Sequence, residues 1–291
     1  IINNNMINSV VELLNNQIQD IRFRFSESKF KSQLKINNFP AVFFDNYAGG
    51  NVGGGSYNWL QKKHENRSLH EPATIATLLY LQKYYSREVD IIFDIGALYG
   101  YFSLISKSIF PKSIVFSFEM NPESHIALHK NINSNKHLGI PATQCLNLGL
   151  SNKTNLQKRV HARGFILRED KEYEYSSVID LISVDDFCRI SGFQPNLIKI
   201  DVEGYQAKII PGSMDTIEKA KPIIILEFDS PKRLEYFNTT NKQITQPLFN
   251  LKYQCYWCKN HRGFADKFQQ LDYNSFSREH EQNSLSVFIP N

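Results

Sequence analysis

Several things missing from this 291-residue sequence narrow its reading before any motif is considered. Only four cysteines occur, Cys145, Cys188, Cys255 and Cys258. They are too few and too scattered for a disulfide framework, so a reducing, cytoplasmic setting is expected. No apolar run reaches the roughly 18 residues that would span a bilayer. The opening IINNNMINSVVELLNNQIQD has no charged start, continuous apolar stretch or small-residue cleavage site of the secretory kind. A chain that begins at Ile1 reads as trimmed or as a fragment. The 33 Lys and Arg are interspersed with 29 Asp and Glu for a net charge of +4. No basic patch stands out, and nucleic acid is not an expected partner. Two phosphate-cradling patterns, G-x-G-x-x-G and G-x-x-x-x-G-K-S/T, are also missing, as are internal repeats.

What is present is a chain with 42% hydrophobic residues, enough for a large core. Val10, Leu13, Leu14, Gln17, Ile18 and Ile21 repeat near a helical period, and a turn-rich stretch follows to Pro40. The glycines of AGGNVGGGSYNW, residues 48–59, predict a mobile segment, either a lid or a plain linker. A helix is expected over 71–86, with Pro72 in its first turn. From Val89 short apolar runs alternate with amphipathic stretches, the pattern of βαβ units around a buried parallel sheet. The runs are 91–95, 113–118, 144–148, 179–182, 197–202 and 222–228. Helices are predicted between them over 101–110, 122–134 and 205–220. YQCYWC and SVFIP read as strands pairing antiparallel at one sheet edge.

Ligands of such sheets bind beyond the carboxyl ends of the strands. The first strand ends in Asp94-Ile95-Gly96-Ala97-Leu98-Tyr99-Gly100, a tight turn leading into a helix. The second ends in Glu119, 25 residues after Asp94, where a carboxylate can accept both hydrogen bonds of a ribose diol. Two acids suit a cationic sulfonium and ammonium and would repel a pyrophosphate. S-adenosylmethionine is therefore the expected cofactor, and a nicotinamide-dependent oxidoreductase or a non-catalytic nucleoside-binding domain are the alternatives.

Three blocks, FDIGALYGYFSL with FSFEMNP, LISVDDFCRISGFQPNLIKIDVEGYQAKIIPGS, and KPIIILEF, resemble the FkbM family of methyltransferases, as does HEPATIATLL upstream. The resemblance covers about 70–230. It implies a Rossmann-like, doubly wound, mostly parallel seven-stranded α/β sheet with an N-terminal helical extension, residues 1–70, ahead of a methyltransferase domain, residues 71–291. It implies O-methylation of a hydroxyl on a sugar, glycan or natural-product acceptor. Carried onto this sequence, Asp94, Gly96, Ala97 and Gly100 line the methionine and ribose side, Glu119 holds the ribose, Asn147 lies toward the adenine, and Glu71 joins the cofactor set.

IKIDVEG sets Asp201 and Glu203 at the mouth of the fourth strand, and Glu227 ends a neighbouring one. These carboxylates could act as a general base on a hydroxyl, hold a divalent cation such as Mg2+, or only cap the following helix. Lys199, inside its strand, predicts a salt bridge. His64, His70 and His161 fall in segments that could cover the site, and sequence alone does not rank them. His125, His129 and His137 read as surface residues. Cys255-x-x-Cys258 with His261 raises a zinc reading, against which the strand-like alternation argues. Residues 156–175 read as a substrate-facing hairpin or a solvated excursion.

Overall fold

The structure, a computed structural model, describes residues 9–139, 143–163, 166–168 and 177–291. Ser9 opens the first helix, α1 (Val10–Asp20), by accepting the Glu12 N–H on its hydroxyl. The turn-rich stretch expected after it is instead an antiparallel sheet of β1 (Phe23–Glu27), β2 (Lys31–Ile36) and β3 (Val42–Asp45). Its short strands alternate buried and exposed residues, Leu34, Ile36, Val42 and Phe44 pointing inward. Two asparagines, both from the helix that follows the second strand of the main sheet or its end, clamp β3. The Phe43 N–H donates to Asn135 Oδ1 and the Asp45 N–H to Asn131 Oδ1. Next come α2 (Ser56–Lys63) and α3 (Pro72–Tyr84).

The main sheet is then laid down by β4 (Ile91–Ile95), α4 (Tyr101–Ile109), β5 (Ile114–Phe118), α5 (Pro122–Asn133) and β6 (Thr143–Leu146). The chain leaves it for a second sheet made of β7 (Leu148–Ser151), β8 (Asn155–Arg163), β9 (Ile166–Arg168) and β10 (Ser177–Ser183), in the order β7-β10-β8-β9. It returns through α6 (Val184–Ser191), β11 (Leu197–Ile200), α7 (Gln206–Ile209), α8 (Met214–Ala220) and β12 (Ile223–Phe228). It closes with α9 (Pro231–Leu234), α10 (Asn241–Asn250), β13 (Gln254–Cys258), β14 (Gln269–Leu271) and β15 (Ser284–Ile289).

The main sheet has the order β14-β13-β15-β12-β11-β4-β5-β6. Five strands from β12 to β6 run parallel, and β15, β13 and β14 add antiparallel. The mostly parallel α/β sheet is as expected, with the three-residue β14 as an eighth strand at the edge. Alternate residues feed two cores. Ile92, Val115, Leu197 and Ile225 pack on one face with Leu14, Phe44 and Trp59, so the N-terminal elements share this core. Phe93, Ile95, Phe116, Ile198 and Ile224 pack on the other. No helix among the described residues is long and apolar enough to cross a membrane.

Three expectations fail for local reasons. The run 144–148 is broken at Asn147, whose Nδ2 donates to the carbonyls of Glu119 and Met120 and so ends β6 before β7 begins. The run 179–182 belongs to the second sheet, where Ile179 and Leu181 are buried while Val178 in the same strand is exposed, a one-sided pattern. The helix over 205–220 is interrupted at Pro211, which cannot continue the backbone ladder.

Candidate active site

A cavity of about 290 Å3 opens at the carboxyl ends of β4, β5 and β11, where a doubly wound sheet binds its ligands. Its floor is the turn after β4. Gly96 lies at φ +82°, and a Cβ there would sit 2.0 Å from the Asp201 carbonyl oxygen, so only glycine fits. The Gly96 and Ala97 N–H groups donate to the Phe118 carbonyl, tying this turn to the end of β5. Glu119 follows directly. Its Oε2 accepts the Leu98 N–H and its Oε1 the Asn121 N–H, both at 2.8 Å. These bonds fix a carboxylate in the cavity wall with lone pairs to spare. Burial pushes its carboxyl up to about 7, and the two N–H bonds only partly oppose that. Around it Ile95, Phe118, Met120, Leu148 and Leu150 make an apolar wall.

Of the residues expected here, Gly96, Glu119 and Glu71 line the cavity; Asp94, Ala97, Gly100 and Asn147 stand behind it. Asp94 is 2% exposed. Its Oδ2 accepts the Ser103 hydroxyl at 2.6 Å, and its Oδ1 lies 3.8 Å from Lys199 Nζ across the sheet. That pairing is the salt bridge anticipated for Lys199, whose ammonium also lies 3.5 Å from Asp201 Oδ2. Gly100 leaves room for Leu128, which a Cβ would meet at 2.7 Å. Asn147 braces the wall through the two carbonyls that bracket Met120.

The other half of the cavity is polar. Asp201 and Glu203 line it, as expected, together with Trp59, Lys63, His70, Glu71, Arg233 and Arg262. Glu203 does not join the other two carboxylates, because Arg233 Nη1 holds its Oε2 at 2.6 Å. Burial and the nearby Asp201 charge push Glu203 up to about 7. Asp201 and Glu227 share a hydrogen bond. Burial works to raise the Asp201 carboxyl, but Lys199, that bond and Arg262 outweigh it and hold Asp201 below the ordinary range. Burial and the Asp201 charge push Glu227 well above it. One proton between two carboxyls is the arrangement that results.

Glu71 is buried and sits at φ +48°, a strained conformation for a side chain with a Cβ. Its Oε2 accepts the Thr74 hydroxyl at 3.1 Å, and its Oε1 faces His70 Nε2 at 3.4 Å. The structure thus separates the candidate histidines. His70 lines the cavity, and burial, with Lys63 and Arg262 adding to it, holds its imidazole well below the ordinary value. His64 is turned away, its Nδ1 on the Ser68 carbonyl and its ring stacked on Phe25. The side chain of His161 and much of the 156–175 segment lie outside the described residues; the described backbone of β8 and β9 pairs antiparallel.

The zinc reading of Cys255 and Cys258 fails on strand geometry. Cys255 packs in one core and Cys258 in the other, as residues three apart on a strand must. Among the described residues the set with metal-ligand reach is Glu71, Glu227 and His261, with ligand atoms within 4.8 Å of one another. Arg262 already reaches into it, Nη2 lying 2.5 Å from Glu227 Oε1 and Nε 3.7 Å from Glu71 Oε1. A divalent cation was one option for Asp201, Glu203 and Glu227; a guanidinium stands beside Glu227 and Glu71.

The glycine-rich stretch is packed. Tyr99 Oη donates to the Val52 carbonyl at 2.8 Å, and a Cβ on Gly50 would lie 2.5 Å from the Tyr99 ring. Trp59 and Lys63 on α2, Arg262 after β13 and the Met120 to Leu150 wall were not found from sequence. Lys63 and Arg262 lie in segments that carry no motif, Trp59, Met120 and Leu148 lie in segments read for other reasons, and only chain crossings bring them to this cavity.

Comparison with known proteins gives three findings. A family model described as the Methyltransferase FkbM domain matches residues 94–255. A hexuronic acid methyltransferase, AglP, of Haloferax volcanii is 25% identical over 141 residues, which are 48% of this chain and 56% of that protein. The chain therefore spans about half the length of the curated relative it matches. Among solved structures, an FkbM methyltransferase from Methylobacillus flagellatus KT superposes with a TM-score of 0.45 at 14% identity, covering 75% of this chain and 53% of that one. Aeropyrum pernix fibrillarin with bound S-adenosyl-L-methionine superposes at 0.42 and 8% identity, covering 93% and 99%.

Proposed function

The chain belongs to the FkbM methyltransferase family, and on that premise we propose that it transfers a methyl group from S-adenosylmethionine to an oxygen of a sugar-type acceptor. A nicotinamide oxidoreductase is set aside by that membership. The observation that carries the cofactor assignment is Glu119, a carboxylate fixed by two backbone N–H groups in the wall of a cavity that is otherwise apolar on that side. Its free lone pairs suit a ribose diol. Met120, Leu148 and Leu150 suit a purine face, and the bare Cα of Gly96 permits close approach. When bound, S-adenosylmethionine supplies an electrophilic methyl group on a sulfonium.

The rest is the work of the polar half of the cavity. An acceptor hydroxyl must lose its proton as the new bond to oxygen forms. His70 is a neutral imidazole in the wall, and its Nε2 faces Glu71 Oε1, leaving Nδ1 to take that proton. Glu71, held by Thr74, orients the ring and stabilises the imidazolium. Asp201, ionised and paired with Lys199, fixes the turn against Gly96. Arg262 supplies the positive charge beside Glu227, so this reading needs no divalent cation. A sugar acceptor is supported by the relative named for hexuronic acid.

Calorimetric titration tests the reading. S-adenosylhomocysteine should bind and raise the melting temperature, and NAD should do neither. No binding of S-adenosylhomocysteine would end it.

A further inference from the structure

Resting on that reading, we propose that the acceptor carries a carboxylate, as a uronic acid does, and that Lys63 with Arg262 seats it. The two side chains line the same cavity from separate elements, α2 and the segment after β13. Lys63 Nζ lies 5.4 Å from the Trp59 ring centroid and makes no ion pair or hydrogen bond among the described residues. Arg262 commits Nη2 to Glu227 and lies with Nε 3.7 Å from Glu71 Oε1, and among the described residues Nη1 makes no ion pair or hydrogen bond. Arg233, the third cation of the wall, is taken up by Glu203 and Asp229.

Lys63 and Arg262 face one cavity and repel each other, and Glu71, Asp201 and Glu227 offset this only in part at Lys63. Burial, and after it the Arg262 charge, lowers the Lys63 amine, so an anion between them relieves a cost already present in the protein. A planar monoanion fits better than a phosphate dianion. One guanidinium nitrogen and one ammonium can meet two carboxylate oxygens, and Asp201 and Glu203 in the same wall would oppose a second negative charge. The Trp59 indole in the wall adds a flat apolar surface beside the cations.

A carboxylate could come from two sources, the acceptor or the amino-acid end of the cofactor. Both are read by calorimetry on the whole chain, titrating D-glucuronate, D-glucose and D-glucosamine with S-adenosylhomocysteine present and absent. Glucuronate should bind about tenfold more tightly than glucose. Lys63→Met should abolish that preference, and Lys63→Glu should shift it toward glucosamine, while the affinity for S-adenosylhomocysteine stays at the wild-type value. Equal binding of glucuronate and glucose to the wild type, or a preference that survives Lys63→Met, overturns the proposal. So does weakened S-adenosylhomocysteine binding in Lys63→Met with the sugar preference intact, since the lysine then serves the cofactor. Failure of the wild type to bind S-adenosylhomocysteine at all counts against the methyl-donor reading, and the sugar titrations without it still decide this one.

Discussion

Gly96 and Asp201 meet backbone to backbone, with the space for a Gly96 Cβ only 2.0 Å from the Asp201 carbonyl oxygen. The turn that closes the first parallel strand and the turn that closes the fourth are thereby held as one floor under the cavity. Gly96→Ala would have to move one of them while keeping φ at +82°. The expected result is a loss of about 1–3 kcal/mol of stability, with S-adenosylhomocysteine binding lost in the protein that still folds. Thermal melts with and without ligand read both effects.

Glu119 gives a pH signature. Its folded carboxyl is pushed up to about 7 from an ordinary 4.5, chiefly by burial. The folded state therefore holds the proton where the unfolded state releases it, and stability from this group falls as pH rises from 4.5 through 7. Glu119→Gln should melt higher than wild type at pH 8, with the gap closing toward pH 4.5. The same variant should bind S-adenosylhomocysteine more weakly by about 1–3 kcal/mol, through loss of charged hydrogen bonds. An unchanged affinity would remove Glu119 from the cofactor site.

His70 should govern turnover without governing cofactor affinity. His70→Phe is expected to cut kcat by about 10²–10⁴-fold and leave the Kd for S-adenosylhomocysteine alone. Because burial, with Lys63 and Arg262, holds the imidazole below its ordinary 6.5, the ring stays neutral as pH falls through 6.5. Wild-type kcat/KM should then persist below that pH and drop only at more acid values. A midpoint at or above 6.5 in the rate profile would speak for another base.

Arg262 separates a guanidinium from a metal as the partner of Glu227 and Glu71. EDTA should leave methyl transfer unchanged. Arg262→Met should cost about 1–3 kcal/mol, a value reduced because the side chain is 43% exposed. Loss of activity on chelation, restored by Mg2+, would contradict this assignment.

The Tyr99 and Gly50 contact predicts that Gly50→Ala acts at a distance. Its Cβ would press on the Tyr99 ring beside the turn after β4, so S-adenosylhomocysteine affinity should fall although residue 50 does not line the cavity. Affinity equal to wild type, measured by titration, would show that the glycine stretch and the turn are independent.

The parts legible in the sequence were those governed by local chemistry. Apolar runs of buried parallel strands, the Pro72 and Pro122 helix starts, and the glycine turn with Glu119 at its fixed spacing all act within a few residues of themselves. They were enough to give the α/β sheet, the end of it where the cavity opens, and the family. Tertiary structure decided what depends on faces and crossings. A three-stranded sheet stood where only turns were visible, because its strands are short and half wet. Asp94, apt in sequence for a ligand, was drawn behind the wall by Lys199 and Ser103, since a buried carboxylate goes to the nearest donors. Glu203 went to Arg233 for the same reason. His70 was set apart from His64 because the Ser68 carbonyl and the Phe25 ring hold His64 while His70 lines the cavity. Lys63 and Arg262, about two hundred residues apart in the chain, met only because α2 and the segment after β13 close over the same strand ends.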